Sequence, residues 1–209
     1  MLQIVIFLAI VLVPILAFPQ RAFAHCDTMD GPTARDGMRA LETKNINYAL
    51  KWILPEAEAE LSSIFQLSLK VRQLNDDAKE LADRYFLENL VRIHRAGEGA
   101  PFTGLLPSGV PVDTKIAAAD QCIATGSIMP LEGLAAPEQL PELEKRLHKV
   151  LSLKQFHVDD VQAGREYIEA YVSFFKFAEG EDHDSHHSPN DPHSHDHKTG
   201  EPHHDLHKR

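Results

Sequence analysis

The residues best suited to chemistry in this sequence are potential metal ligands near its two ends. Nine of the thirteen histidines lie close to the C-terminus. They are His183, His186, His187, His193, His195, His197, His203, His204 and His207. Neutral imidazole binds Zn, Ni and Cu, and closely spaced imidazoles with interleaved carboxylates can surround an ion in several arrangements. The pattern therefore predicts a tail that binds Zn, Ni or Cu, with a purely solubilising acidic tail as the alternative.

The composition of residues 179–209 also predicts that this tail is disordered. Pro189, Pro192 and Pro202 interrupt any helix, and apolar side chains are nearly absent. Such a segment buries too little apolar surface to offset the entropy lost on ordering. Because the imidazole pKa is near 6.5, metal binding by the tail should weaken below about pH 6.

The N-terminal segment has the features of a targeting sequence. The stretch from Ile4 to Phe18 is apolar except for Pro14, and Ala22-Phe23-Ala24 follows it. An apolar run of about 15 residues is short for a membrane span, and an A-x-A tripeptide is typical of a signal-peptidase site. We expect residues 1–24 to be a signal peptide of a periplasmic or secreted protein. An uncleaved membrane anchor is the alternative.

Cleavage after Ala24 would place a second candidate metal site at the new N-terminus. The α-amine and imidazole of His25 and the amide nitrogen and thiolate of Cys26 would then lie within two residues. An amine and a deprotonated amide favour the square-planar geometry of Ni(II) and Cu(II). Asp27 and Asp30 follow closely enough to ligate the ion or to attract it. We therefore predict a site for Ni or Cu formed by His25, Cys26, Asp27 and Asp30.

The segment from His25 to Gly31 resembles the start of mature nickel superoxide dismutase, whose nickel hook begins His-Cys-Asp-x-x-Cys-Gly. That family is a helical bundle. The resemblance implies that His25 supplies amine and imidazole, and that Cys26 supplies amide nitrogen and thiolate. Asp30 stands where the family has its second thiolate, and Cys122 could replace that thiolate if the fold brings it near. A redox enzyme of this type is therefore the alternative to a protein that binds, delivers or stores metal.

The chain as a whole resembles a bacterial family of uncharacterised exported proteins. The runs that carry this resemblance are His25–Pro32, Leu81–Phe86 and His94–Gly99, and the resemblance implies no activity. A third hypothesis concerns the two cysteines. In an oxidising compartment Cys26 and Cys122 could form a disulfide, and the chain would then be a stapled helical interaction module.

Residues 25–178 predict an all-α helical bundle, because apolar residues recur at helical spacing without sustained alternation. Within two of the helices, Leu67, Leu81 and Tyr85 are expected to face inward. A long Gly/Pro-rich loop is expected between the helices over 97–112. The predicted helices cover about 33–43, 55–73, 76–97, 113–124, 137–151 and 159–178. His94 is expected to pack or to cap its helix, or to act as a ligand if the loop folds towards the N-terminus.

Charge and missing motifs exclude several functions. The formal charge of −10 becomes −11 when the signal peptide is removed, because Arg21 is its one charged residue. An acidic chain disfavours nucleic acid and anionic lipid as partners, and we expect no stable membrane insertion after cleavage. No hydrolase elbow, zincin motif or haem attachment motif occurs. Transition-metal ions are the predicted partners, and no protein partner is identified.

Overall fold

The computed structural model describes residues 26–180. The predicted signal peptide, His25 and the tail histidines lie outside the described residues. Within them the chain forms seven α-helices. These are α1 (Pro32–Thr43), α2 (Asn47–Leu50), α3 (Glu58–Val71), α4 (Asp76–Gly97), α5 (Thr114–Thr125), α6 (Leu140–Leu153) and α7 (Val161–Glu179). Residues 26–180 contain no β-strand, which confirms the predicted all-α bundle.

Polar side chains fix where the long helices begin. The Asn75, Asp113 and Asp160 side chains accept hydrogen bonds from the first backbone N–H groups of α4, α5 and α7. These groups have no partner inside the helix, so capping them stabilises its start. Asn and Asp are both favoured at this capping position.

The bundle is organised around α4 and α7. Helix α4 packs against α1 and α3, and α7 packs against α5 and α6. Gly37 allows α1 to approach α4 closely, because a Cβ there would lie 2.6 Å from Leu87 Cδ2. The C-terminal ends of α4 and α7 both border the candidate site described below.

The structure contradicts the predicted inward positions of three side chains. Leu67 is 53% exposed, Leu81 is 69% exposed and Tyr85 is 46% exposed. On α4, the buried face includes a charged residue, Asp83, whose carboxylate is held by Arg72 at 2.7 Å and by Lys79 at 2.8 Å. Further along α4 the apolar residues Phe86, Leu90 and Ile93 are buried, so apolar spacing misplaces the start of this face and not the whole of it.

The connecting loop (residues 98–113) folds back onto the N-terminal segment. The Leu106 amide donates to the Asp27 carbonyl oxygen over 2.7 Å, and the Met29 amide donates to the Leu106 carbonyl oxygen over 2.9 Å. The Gly109 amide donates to Asp30 Oδ2 over 3.0 Å. The loop thus holds residues 27–30 against the body of the bundle, beside the end of α4.

No helix within residues 26–180 combines the length and the apolar character that a membrane span needs.

Candidate functional site

The Cys26 thiol lies partly buried at the N-terminal edge of the bundle. Burial raises its pKa from 9.0 to about 12, and the charges of Glu98 and Asp27 add to that increase. The Thr33 hydroxyl and the Arg95 guanidinium oppose it, with smaller effects. The thiol is therefore protonated at neutral pH, and its thiolate needs additional positive charge nearby.

Asp27 and Arg95 form a buried ion pair beside this thiol. Their exposed fractions are only 6% and 2%, and Asp27 Oδ1 lies 3.4 Å from Arg95 Nε. Burial raises the pKa of Asp27 to about 6, against the opposing effect of Arg95, and the Glu98 charge raises it further. Arg95 Nη1 also lies 3.1 Å from Glu98 Oε2, so one guanidinium joins two carboxylates.

His94 completes the cluster on the last turns of α4. Its side chain is 4% exposed, and Nδ1 lies 2.8 Å from the Trp52 carbonyl oxygen. Burial lowers the pKa of His94, so the ring is neutral at neutral pH. A carbonyl oxygen only accepts hydrogen bonds, so Nδ1 carries the ring proton and Nε2 carries the lone pair. Among the described residues Nε2 has no hydrogen-bond partner.

Glu98 lies between these groups. Its Oε2 atom is 3.8 Å from His94 Nε2, and its Oε1 atom is 3.6 Å from Lys176 Nζ on α7. The lone pair of a neutral imidazole and a carboxylate repel each other unless a proton or a cation lies near both. A histidine that donates its other ring N–H to a backbone carbonyl is also the usual arrangement of a metal-ligating imidazole.

Only some of the predicted site residues lie at this cluster. Cys26 and Asp27 lie at the cluster, whereas Asp30 is exposed and its hydrogen bond from Gly109 lowers its pKa. Cys122 is buried, with Sγ 3.7 Å from the Ile128 carbonyl oxygen, and both cysteines are free thiols. His25 and the nine tail histidines lie outside the described residues. Within residues 26–180 no three His, Cys, Asp or Glu side chains form a group that could hold a metal ion.

Sequence reasoning missed Arg95, Glu98 and Lys176 as parts of this cluster. One signal was available, because His94 and Glu98 are four residues apart and therefore share a helix face. The pairing of Arg95 with Asp27 had no such signal, since it depends on the fold of the connecting loop.

Comparison with known proteins identifies one family. A family model described as a family of unknown function (DUF6448) matches residues 30–177. No curated protein and no solved structure matches the chain. The matched range includes the connecting loop, His94 and Glu98, and it begins after Cys26 and Asp27.

Proposed function

The chain belongs to the family of unknown function DUF6448. We propose that it is an exported metal-binding protein. Ni(II) or Cu(II) would bind at an N-terminal site that contains His25 and Cys26. The histidine-rich tail would collect or buffer Zn, Ni or Cu. The role of the chain would be to bind, deliver or store these ions.

The observation that carries the proposal is the group of donors around Glu98. The lone pair of His94 Nε2 is buried without a hydrogen bond, and the nearest carboxylate oxygen is 3.8 Å away. The same carboxylate raises the pKa of the Cys26 thiol. A metal ion in this region would accept the lone pair of His94 Nε2, which the Arg95 and Lys176 cations at Glu98 leave unpaired, and would stabilise the Cys26 thiolate.

The chemistry of the donors agrees with the borderline ions named above. Thiolate and imidazole suit Ni, Cu and Zn better than Mg or Ca. The described donors do not complete a coordination set alone, and the amine and imidazole of His25 would supply the remainder. Since Cys26 is protonated at neutral pH, metal binding should release its proton and should weaken as the pH falls.

A metal competition titration tests this proposal. Metal-free exported chain ending at Gly180 is titrated with Ni(II) and Cu(II) against a chromophoric chelator, after intact mass has confirmed that it begins at His25. Cys26→Ser and His94→Gln should each weaken binding by at least about tenfold, which corresponds to about 1.4 kcal/mol. Cys122→Ser and His148→Gln are the matched controls, because Cys122 is at a distinct buried site and His148 is exposed on α6.

Three results would count against the proposal. If Cys26→Ser binds as tightly as the parent chain, the N-terminal site is wrong. If His94→Gln has no effect while Cys26→Ser does, the site does not include the donors around Glu98. If only the full-length chain binds metal, the tail alone is the metal-binding element.

The redox alternative rests on the segment from His25 to Gly31. The same metal-loaded samples are therefore assayed for superoxide dismutation. Turnover that survives removal of the tail and disappears in Cys26→Ser would favour the enzyme, and metal uptake without turnover would favour the binding protein. An intact mass two hydrogens below that of the dithiol form would instead favour the stapled interaction module.

A further inference from the structure

A cavity of about 630 Å³ lies between the end of α4, the turn after α2, and helices α6 and α7. One part of its wall is apolar and includes Ile53, Leu54, Ile168 and Val172. This volume falls within the range of small-molecule sites in proteins, which also combine an apolar wall with a few polar groups.

Within residues 26–180 the wall of this cavity carries more cationic than anionic side chains, although the chain is strongly acidic. Four cationic side chains line it, and the carboxylates of Glu98 and Glu169 line it as well. The four cations are Lys51, Arg146, Arg165 and Lys176. Four positive and two negative groups leave a formal charge of +2, against −10 for the chain. Such a local excess attracts anions even when the net charge of the protein repels them.

The ion-pair partners of three of these cations lie outside the cavity wall. They are Asp36 for Lys51, Glu142 for Arg146 and Glu58 for Arg165. None of the three carboxylates lines the cavity. Each ion pair therefore fixes its cation and offsets much of its charge, and the cavity meets the cationic end of each pair.

Both arginines are held in place by further hydrogen bonds. Arg146 Nη1 donates to Ser173 Oγ over 2.7 Å, and the guanidinium lies 4.4 Å from the centre of the Phe177 ring. Arg165 Nε donates to the Ile53 carbonyl oxygen over 3.0 Å. A ligand that meets fixed donors loses less free energy to the ordering of side chains.

We propose that this cavity binds a small organic acid with an apolar body. Its carboxylate would face Arg146, Arg165 and Lys176, and its apolar part would lie against Ile168 and Val172. Two nitrogens of each guanidinium already donate within the described residues, and Nη2 of Arg146 and Nη1 of Arg165 would each donate a charge-assisted hydrogen bond to the carboxylate. This proposal does not depend on metal binding, so it is tested in metal-free protein.

Trp52 provides a local readout, because it is the only tryptophan of the chain and it lines the cavity while 5% exposed. Metal-free full-length protein is titrated with octanoate, with octanol as the neutral match and acetate as the match without an apolar body. Binding is followed by Trp52 fluorescence and by calorimetry. We expect saturable binding of octanoate, and binding at least about tenfold weaker for octanol and for acetate.

Variants locate the binding. Lys176→Gln should weaken octanoate binding by about tenfold, which is the loss of one charge-assisted contact. Lys145→Gln is the matched control, because Lys145 pairs with Glu142 on the same helix as Arg146 but does not line the cavity. Val172→Phe keeps all charges and should weaken binding, because the larger ring takes part of the space against Val172 in which the apolar body would lie. Far-UV circular dichroism checks that each variant is folded.

The proposal is overturned if neither fluorescence nor calorimetry detects octanoate binding. It is also overturned if octanol binds as tightly as octanoate, because the cations would then play no part. Equal weakening by Lys145→Gln and Lys176→Gln, or full binding by folded Val172→Phe, would show that the ligand lies elsewhere.

Discussion

The raised pKa of Cys26 predicts that its thiol reacts slowly in the folded, metal-free protein. Cys122→Ser leaves Cys26 as the one thiol, and its alkylation by iodoacetamide can be timed by mass spectrometry. At pH 8 a thiol with the ordinary pKa of 9.0 is about one-tenth thiolate, whereas a thiol with a pKa of about 12 is about one ten-thousandth thiolate. The reactive fraction therefore falls by about a thousandfold on folding.

Two effects change the rate of Cys26 alkylation beyond the thiolate fraction. A more basic thiolate is intrinsically more nucleophilic, which offsets the loss by roughly twentyfold over three pKa units. Partial burial of Cys26 slows the reagent to a degree that the pKa does not fix. The net slowing relative to the urea-unfolded chain should then be on the order of fiftyfold or more.

The pH profile separates the pKa from simple obstruction. In the folded chain the rate should still increase about tenfold per pH unit from pH 8 to 10, whereas an ordinary thiol levels off above pH 9. Glu98→Gln removes a charge that raises the pKa of Cys26, so it should lower the pH at which the alkylation rate levels off. Glu88→Gln, on the outer face of α4, should leave the profile unchanged. An alkylation rate that levels off near pH 9 in the parent chain would show that the pKa of Cys26 is not raised.

Three further predictions concern the fold around the site. Asp83→Asn should reduce the free energy of unfolding in urea by about 3–5 kcal/mol, because it breaks a buried ion pair, whereas Glu88→Gln on the exposed face should cost less than about 1 kcal/mol. Similar losses of unfolding free energy in the two variants would contradict this prediction. Asp30→Ala should speed hydrogen exchange in the connecting loop, and unchanged exchange would mean that Asp30 does not hold it. Protonated His94 should quench the fluorescence of Trp52, whose ring centre is 5.4 Å away. As the pH is lowered, the midpoint of this quenching should lie below pH 6.5. A midpoint at or above 6.5 would contradict burial of a neutral imidazole.

The same histidine links stability to pH. The pKa of His94 is lower in the folded chain than in the unfolded chain, so the unfolded chain binds more protons as the pH falls below 6.5. Its contribution to stability is therefore present above pH 6.5 and is lost as the pH falls through the lowered pKa. Asp27 acts in the opposite direction, because its pKa is raised to about 6. Its contribution is present at low pH and is lost as the pH rises through about 6.

Local signals in the sequence were enough to place the helices. Caps such as Asn75 and Asp113 mark helix starts through hydrogen bonds to nearby backbone groups. The start of such a helix therefore depends on a few residues that are close in sequence. The density of Gly and Pro likewise predicted the connecting loop without any tertiary information.

The orientation of the helix faces was harder to predict. Apolar spacing put Leu81 and Tyr85 inward, yet both are exposed, and near the start of α4 the charged residue Asp83 is buried instead. A carboxylate is buried there only because Arg72 and Lys79 neutralise it. Arg72 also donates to the Leu41 carbonyl oxygen on α1, and such partners distant in sequence leave no periodic signal.

The candidate site was only partly visible from the sequence. Cys26 and Asp27 stood out through their residue types and spacing. Arg95 and Glu98 looked like ordinary charges at the end of α4, because their roles depend on a loop that carries residues 27–30 to that helix end. Residue type therefore singled out the candidate donors, and only tertiary structure showed which charges act on them.

We propose that a metal ion binds at the N-terminal site through Cys26. Native mass spectrometry of exported chain ending at Gly180 is the sharpest test, because the tail histidines are then absent. We expect one Ni or Cu per chain that begins at His25, retained in Cys122→Ser and lost in Cys26→Ser. A chain without the tail that carries no metal, or a Cys26→Ser form that keeps its ion, would contradict it.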